Sequence, residues 1–295
     1  MSTAALSGSL AGAALAYFTP LPLLMTGLGL GLASVVMAGV AGVIIVGVFG
    51  GAVAALLYGG MHAVPAWLVV RHVLLQQPAA VQGAGERLGA ILGLLAALAG
   101  AAVALTLLFG AGSDGAEATV LGFLNETLTV AMPHLGEDDR TTLVATIVPF
   151  FVGGCGATWE IMIVVNAALA QSLLSSRGRN LRPSPRWSAI QLPEWVAWPL
   201  VAAAVVALVA PGDLQFVARN LVLVFAVPYF ILGLAVVHTL ARRTAAKGMF
   251  LAAFYIMLAL FFLGAAVAVA GLGVIEHWFG VRRRLKGNNI DQETT

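Results

Sequence analysis

The fold is indicated most directly by residues 21–58, LPLLMTGLGLGLASVVMAGVAGVIIVGVFGGAVAALLY, which contain no Asp, Glu, Lys or Arg. The same absence of charge extends over residues 1–70 as a whole. A transmembrane helix needs about 20 consecutive apolar residues to cross a hydrocarbon core of about 30 Å. The uncharged stretch is therefore long enough for about three spans, if its prolines and glycines separate one helix from the next.

Composition extends this interpretation to the rest of the chain. Of 295 residues, 60% are hydrophobic and 9% are charged, whereas about 25% of the residues in a soluble domain carry charge. The 15 Lys and Arg residues and the 13 Asp and Glu residues cannot cover a core of this size with a polar shell. We therefore expect an all-α polytopic transmembrane bundle of about eight spans. It would form one integral-membrane domain over residues 1–287, followed by a disordered polar tail over 288–295.

Hydrophobic runs place these spans near residues 4–18, 21–38, 40–58, 88–110, 143–174, 195–210, 217–240 and 249–275. Two segments keep alternatives open: 61–75 can finish a span, lie in the interface or enter as a partial helix, and 195–210 is short enough to stop before crossing. The acidic loop 111–142 contains apolar residues near helical spacing, which predicts a short amphipathic helix on the bilayer surface. The long run 143–174 predicts a kink near Pro149 and the glycines that follow it.

Glu160 is the main candidate for a functional side chain, because it lies in the middle of a predicted span with apolar sequence on both sides. An ionisable group at this depth is costly, so it should face the bundle interior, carry a proton or find a partner. Asn166 and Gln171 follow on the same span and can line a polar cavity with Glu160 that binds a solute. The alternative is that Glu160 lies near one bilayer face, where a tilted helix lets its side chain reach water.

Small residues at a spacing of four predict close helix packing. Gly89, Gly93 and Ala97 leave one stripe of their helix without bulk, and Gly47 and Gly51 repeat the pattern earlier in the chain. Such stripes let a second backbone approach to van der Waals contact. The pattern favours packing inside the bundle, with a homodimer seam as the alternative.

Basic residues occur singly or in short clusters between the hydrophobic runs, as expected of topology signals in a membrane protein. Arg219 and Asn220 can form a paired polar site or anchor the next span at the interface, and the anchor is favoured. Arg282–Arg284 are interpreted as part of a basic tail. A nucleic-acid site would need a dense basic face interleaved with aromatic residues. We therefore expect the lipid bilayer, and not a nucleic acid, to be the partner.

Familiar catalytic motifs are missing from the sequence. It contains no GxxxxGK[ST] phosphate loop, no HExxH and no GxSxG, which removes the commonest signatures of nucleotide, metalloprotease and serine hydrolase chemistry. No two histidines lie four residues apart, as a metal site on one helix face would require. We therefore expect a protein that is not an enzyme and holds no cofactor or metal.

Several short motifs carry a resemblance to a known family. They are YFTPLPL at Tyr17–Leu23, LPEW at Leu192–Trp195, GLAVVH at Gly233–His238 and GLGVIEHWF at Gly271–Phe279, the last followed by Arg282–Arg284. In these motifs the chain resembles the YybS-like family of bacterial polytopic membrane proteins. That family is distantly similar to the substrate-binding membrane subunits of energy-coupling-factor transporters. The resemblance implies a multi-pass protein of the bacterial cytoplasmic membrane and puts solute binding first among its functions, with energy from a separate ATPase or an ion gradient.

Three functional hypotheses remain open. The first is a solute-binding or transport subunit that lacks its own ATPase and has a polar cavity near Glu160. The second is a structural or assembly protein of the bacterial cell envelope, which predicts a dry, filled bundle. The third is an intramembrane enzyme, but it needs at least two convergent catalytic groups and Glu160 is the only buried candidate. The first hypothesis is preferred.

Overall fold

The computed structural model describes residues 15–75, 83–110, 115–282 and 284, and every regular element within them is helical. The prediction of an all-α fold is confirmed, because these residues form helices and no strand. Most of the span predicted near 4–18, and the whole of the tail predicted at 288–295, lie outside the described residues.

The chain forms long helices because its apolar stretches are uninterrupted by charge, and a helix satisfies every backbone polar group internally. In chain order the helices are α1 Pro20–Leu30, α2 Leu32–Tyr58, α3 Val64–Leu75, α4 Ala84–Gly110, α5 Ala116–Ala131, α6 Glu137–Ile147, α7 Phe151–Ser175, α8 Ala197–Val209, α9 Gly212–Ala241, α10 Lys247–Leu260 and α11 Phe262–Phe279. A π-helical turn, Gly59–Ala63, joins α2 to α3, and a 3-10 turn, Val148–Phe150, joins α6 to α7. The helix predicted in the acidic loop is α5.

Five helical stretches within the described residues are long and apolar enough to cross a membrane. They are Leu32–Leu75, Gly85–Leu108, Glu137–Ser175, Gly212–Ala241 and Phe262–Phe279. Three shorter apolar stretches accompany them, Leu15–Leu30, Glu194–Val209 and Lys247–Leu260. The described residues are thus a helical bundle of the kind expected for a polytopic membrane protein. The sequence predicts about eight spans, one of them mostly outside the described residues, and the structure has five span-length helical stretches and three shorter apolar ones.

Helix breaks in the first apolar stretch do not fall where the spans 21–38 and 40–58 predict them. The chain runs as a helix through the predicted boundary and breaks at Gly31 instead, with φ of 108°. A second non-helical position follows at Gly51, where φ is 83°. Residues with a Cβ rarely adopt these angles, so the breaks occur at glycines that the hydrophobic pattern alone does not distinguish from their neighbours. The predicted span 249–275 is likewise divided, by Phe261 between α10 and α11.

The described helices belong to two units, of which the first comprises residues 1–91 and 161–186. In this unit α1 packs against α2 and α3. The loop after α7 is bonded to the same helices, since the N–H of Leu181 donates to the carbonyl of Leu28 and the guanidinium of Arg182 donates to the carbonyl of Leu74, 3.1 Å away.

The second unit comprises residues 92–160 and 187–295, with α9 packed against both α8 and α11. Glycines permit the contact between α9 and α11, because a Cβ at Gly233 would collide with the backbone of Val269 and a Cβ at Gly273 with the backbone of Tyr229. From one pair to the other the residue number rises in α9 while it falls in α11, so the two helices are antiparallel. At the start of α9, a carboxylate oxygen of Asp213 accepts the N–H of Glu117 in the first turn of α5.

The replacement Gly273→Ala is expected to destabilise the protein by about 1–3 kcal/mol, the usual penalty for forcing extra bulk into a packed contact. Gly271→Ala is the matched control on the same helix, because a Cβ there meets nothing within 4 Å and alanine favours helix over glycine. Thermal unfolding in detergent should give a clearly lower Tm for the first variant and an unchanged or higher Tm for the second. Equal Tm values would contradict the close approach of α9 and α11.

Candidate functional site

Six polar or charged side chains are buried within the described part of the chain: Glu160, Asn166, Gln171, Asn220, Glu276 and Arg282. A buried polar group is costly in a helical bundle unless it forms hydrogen bonds. A buried side chain whose hydrogen bonds are made within the protein is therefore interpreted as structural, and one whose bonds are not made is a candidate for binding a ligand.

The two predicted cavity amides both bond to the protein in the first unit. The Nδ2 atom of Asn166 donates to the backbone oxygens of Tyr17 and Met162, at 2.9 and 2.8 Å. The Nε2 atom of Gln171 donates to the carbonyl of Arg182 at 2.8 Å and to the hydroxyl of Ser184 at 3.3 Å. The donors of both amides are thus used within the protein: each amide bonds α7 to another segment of the chain, and Asn166 also bonds back to α7 itself. The Oδ1 atom of Asn166 finds no partner within the described part of the chain.

Arg282 and Glu276 form a buried ion pair at the end of α11. The Nε atom of Arg282 donates to Oε1 of Glu276 at 2.7 Å, and the backbone N–H of Arg282 donates to Oε2 at 2.9 Å. The rest of the guanidinium donates to the carbonyls of Ser188 and Ile190. Gly280, in the left-handed conformation with φ of 59°, turns the chain so that Arg282 returns to Glu276. This cluster joins the end of α11 to the segment before α8.

Asn220 bonds to the chain at the predicted kink. In a regular α-helix the N–H of Gly153 would donate to the carbonyl of Pro149, four residues earlier. Here both groups bond to the amide of Asn220, whose Oδ1 accepts from Gly153 at 2.6 Å while its Nδ2 donates to Pro149 at 3.0 Å. The same Nδ2 donates to Phe216 within α9. At the point where the 3-10 turn leads into α7, the side-chain amide of Asn220 thus satisfies the N–H and the carbonyl that would otherwise bond to each other.

Glu160 differs from the other five buried polar side chains. Its side chain is 1% exposed, and no hydrogen bond of the carboxyl group is found within the described residues. In particular its Oε1 atom has no partner there. Nothing in the described part of the second unit therefore offsets the burial of this group, so a proton, an ion or a solute is needed to do so.

Two close approaches place Glu160 on the seam between α7 and α9. A Cβ added at Gly153 would lie 2.6 Å from the backbone oxygen of Asn220, and one at Gly156 would lie 2.9 Å from Cγ2 of Val224. Residue numbers increase together from the first pair, Gly153 and Asn220, to the second, Gly156 and Val224, so the two helices run parallel here. Glu160 lies seven residues after Gly153, almost two full turns, and therefore faces the same seam.

The residues predicted for helix packing have different surroundings. A Cβ at Gly93 would lie 2.8 Å from both the ring of Trp195 and Cγ2 of Val196, so this glycine permits a close contact. Gly89 is buried and Ala97 is half-buried. A Cβ at Gly47 would lie 3.3 Å from the Cβ of Ala55, whereas Gly51 has open space around it and provides a positive φ.

Sequence reasoning missed Asn220 and Arg282 as buried bonding groups. Asn220 is fully buried and is not an interface anchor, and Arg282 is 8% exposed although it stands among basic tail residues. The sequence carried no signal of the bonds of Asn220, because Pro149 lacks only an N–H and its carbonyl could accept from Gly153 as in any helix. Within the described residues no group of three or more His, Cys, Asp or Glu could hold a metal ion.

A comparison with protein-family models matches residues 3–276 to one family, described as "Predicted membrane protein (DUF2232)". No curated protein and no solved structure matches the chain. The family match and the five span-length apolar helices agree that this is a membrane protein.

Proposed function

The chain belongs to the DUF2232 family of predicted membrane proteins, and we propose that it is a solute-binding or transport subunit whose site includes Glu160. The observation that carries this proposal is the buried carboxyl group of Glu160, whose Oε1 atom has no partner within the described residues. Ionisable groups inside a membrane protein are rare, and they usually mark a pathway for a solute or a proton.

The surroundings of Glu160 support a binding role over a purely structural one. Buried side chains that hold this fold together use their donors on backbone carbonyls, as Asn220 and Gln171 do. Glu160 forms no such bond with the described residues, so it contributes nothing visible to the cohesion of the bundle. A ligand with a hydrogen-bond donor would fit its carboxyl group.

The proposal includes a location and a partner. The chain would lie in the bacterial cytoplasmic membrane, as its similarity to the YybS-like family suggests. Since the sequence contains no GxxxxGK[ST] motif, energy for transport would come from a separate ATPase or an ion gradient. The similarity to substrate-binding subunits of energy-coupling-factor transporters favours the ATPase. The protein itself would bind its solute without transforming it.

The replacement Glu160→Gln tests this role while keeping the size and shape of the side chain. Leaving a buried hydrogen-bonding group without its partner costs about 1–3 kcal/mol, and each 1.4 kcal/mol is about tenfold in affinity. We expect the variant to retain about ten to a hundred times less of the native solute. The measurement is mass spectrometry of the small molecules released from protein that has been purified out of its native membrane.

Glu126→Gln is the matched control, because Glu126 is an exposed residue of α5. It should retain the same small molecule in the same amount as the wild-type protein. If wild-type and Glu160→Gln proteins release identical molecules in identical amounts, the solute-binding proposal is wrong. The structural or assembly role in the bacterial envelope would then be the better hypothesis.

A further inference from the structure

We propose that Glu160 is a proton site: a neutral carboxylic acid whose O–H donates to the backbone oxygen of Val224. The functional meaning of this proton rests on the solute-binding role proposed above, but the hydrogen bond can be tested without any solute. The donor is the buried carboxyl group of Glu160, which has no partner among the described residues, and the acceptor is a buried backbone carbonyl whose usual donor is missing.

Pro228 creates the acceptor. It lies inside α9, and proline has no N–H to donate to the carbonyl four residues earlier. That carbonyl belongs to Val224, whose side chain is fully buried. In a membrane-spanning helix an acceptor released in this way is satisfied by a neighbouring group, since the hydrocarbon tails of lipid cannot donate to it.

The way α7 and α9 are aligned places the carboxyl group of Glu160 and the backbone oxygen of Val224 at about the same height along the two helices. Val224 lies against Gly156, and α7 and α9 run parallel. Glu160 follows Gly156 by four residues and Pro228 follows Val224 by four residues, a rise of about 6 Å in each helix. A helical carbonyl points along the axis toward the residue four positions later, so the oxygen of Val224 is directed to the level of Glu160.

A proton fits this site better than a metal ion. On this seam Gly156 has no side chain, Val224 has an apolar one, and the amide of Asn220 is already bonded to Gly153 and Pro149. A hard cation such as Ca²⁺ takes about six to eight oxygen ligands, and the described residues contain no acidic or histidine cluster that could hold one. A carboxylic acid needs only one acceptor for its O–H, and one carbonyl provides it.

Infrared spectroscopy of the full chain in detergent at neutral pH tests the proposal. Protein labelled with ¹³C at its glutamate carboxyl groups should show one protonated glutamic acid band, shifted by the label. The band should be lost in Glu160→Gln and kept in Glu126→Gln. In Pro228→Ala, where residue 228 regains an N–H for Val224, the band should move to higher frequency because its O–H is less strongly bonded.

Wild-type protein without a protonated glutamic acid band would overturn the proposal, and this result does not depend on the folding of any variant. A band that Pro228→Ala leaves at the same frequency would overturn the assignment of Val224 as the acceptor. The outcome is also separate from the solute assay. A protonated Glu160 in a protein whose retained molecules are unaffected by Glu160→Gln would leave the proton site standing while the solute-binding role fails.

Discussion

Replacing Arg282 with Met is expected to lower the free energy of unfolding by about 3–5 kcal/mol, the range found when one partner of a buried ion pair is removed. The substitution leaves the carboxylate of Glu276, which is 6% exposed, without its cation. It also takes donors away from the carbonyls of Ser188 and Ile190. Thermal or denaturant unfolding of the full chain in detergent measures the loss.

A double replacement separates the missing charge from a general disturbance of the chain end. Glu276→Leu combined with Arg282→Met removes both charges, and apolar replacement of a whole buried pair is often neutral or stabilising. We therefore expect the double variant to be more stable than Arg282→Met alone. Arg284→Met is the control on the same segment, because Arg284 is exposed, and it should leave Tm unchanged. A single variant as stable as the wild-type protein would show that the ion pair does not hold the end of α11.

Long apolar runs made the membrane fold predictable from sequence. The described part of the charge-free stretch, residues 15–70, and the segment around Glu160 are predicted correctly as mainly helical, because that inference needs only hydrophobicity and length. The positions of the helix breaks were harder to predict from sequence. Gly31 and Gly51 interrupt the first stretch with positive φ angles, yet nothing in the composition around them separates them from the helical glycines nearby.

The hydrogen-bond partners of the buried polar side chains could not be predicted from the sequence. Arg282 stands beside other basic residues in what resembles a solvated tail, and its burial depends on Glu276 and on carbonyls 92 and 94 positions earlier. Such partners come together only through the tertiary fold. Glu160 could be singled out because the inference needs only its position within one span. Whether Asn166 and Gln171 are hydrogen-bonded depends partly on chain segments outside α7, and the hydrophobic pattern of the sequence does not show that these segments lie beside α7.

Replacing Asn220 with Leu is expected to lower the free energy of unfolding by about 2–4 kcal/mol. The substitution keeps a similar volume but leaves the N–H of Gly153 and the carbonyl of Pro149 without the amide that bonds them. Each buried backbone group left unsatisfied costs about 1–3 kcal/mol, and the hydrocarbon around a membrane-spanning bundle offers no replacement for the amide. Unfolding in detergent, followed by the loss of helical circular dichroism, measures the effect.

Asn125→Leu is the control for the residue type, because Asn125 is half-buried on α5, and it should change the stability little. The comparison also tests what holds the turn between α6 and α7. If Gly153 and Pro149 could bond directly once the amide is gone, Asn220→Leu would be nearly as stable as the wild-type protein. That result would contradict the role given to Asn220. A large loss would instead show that the α6–α7 junction is held by a neighbouring helix, next to the seam on which Glu160 lies.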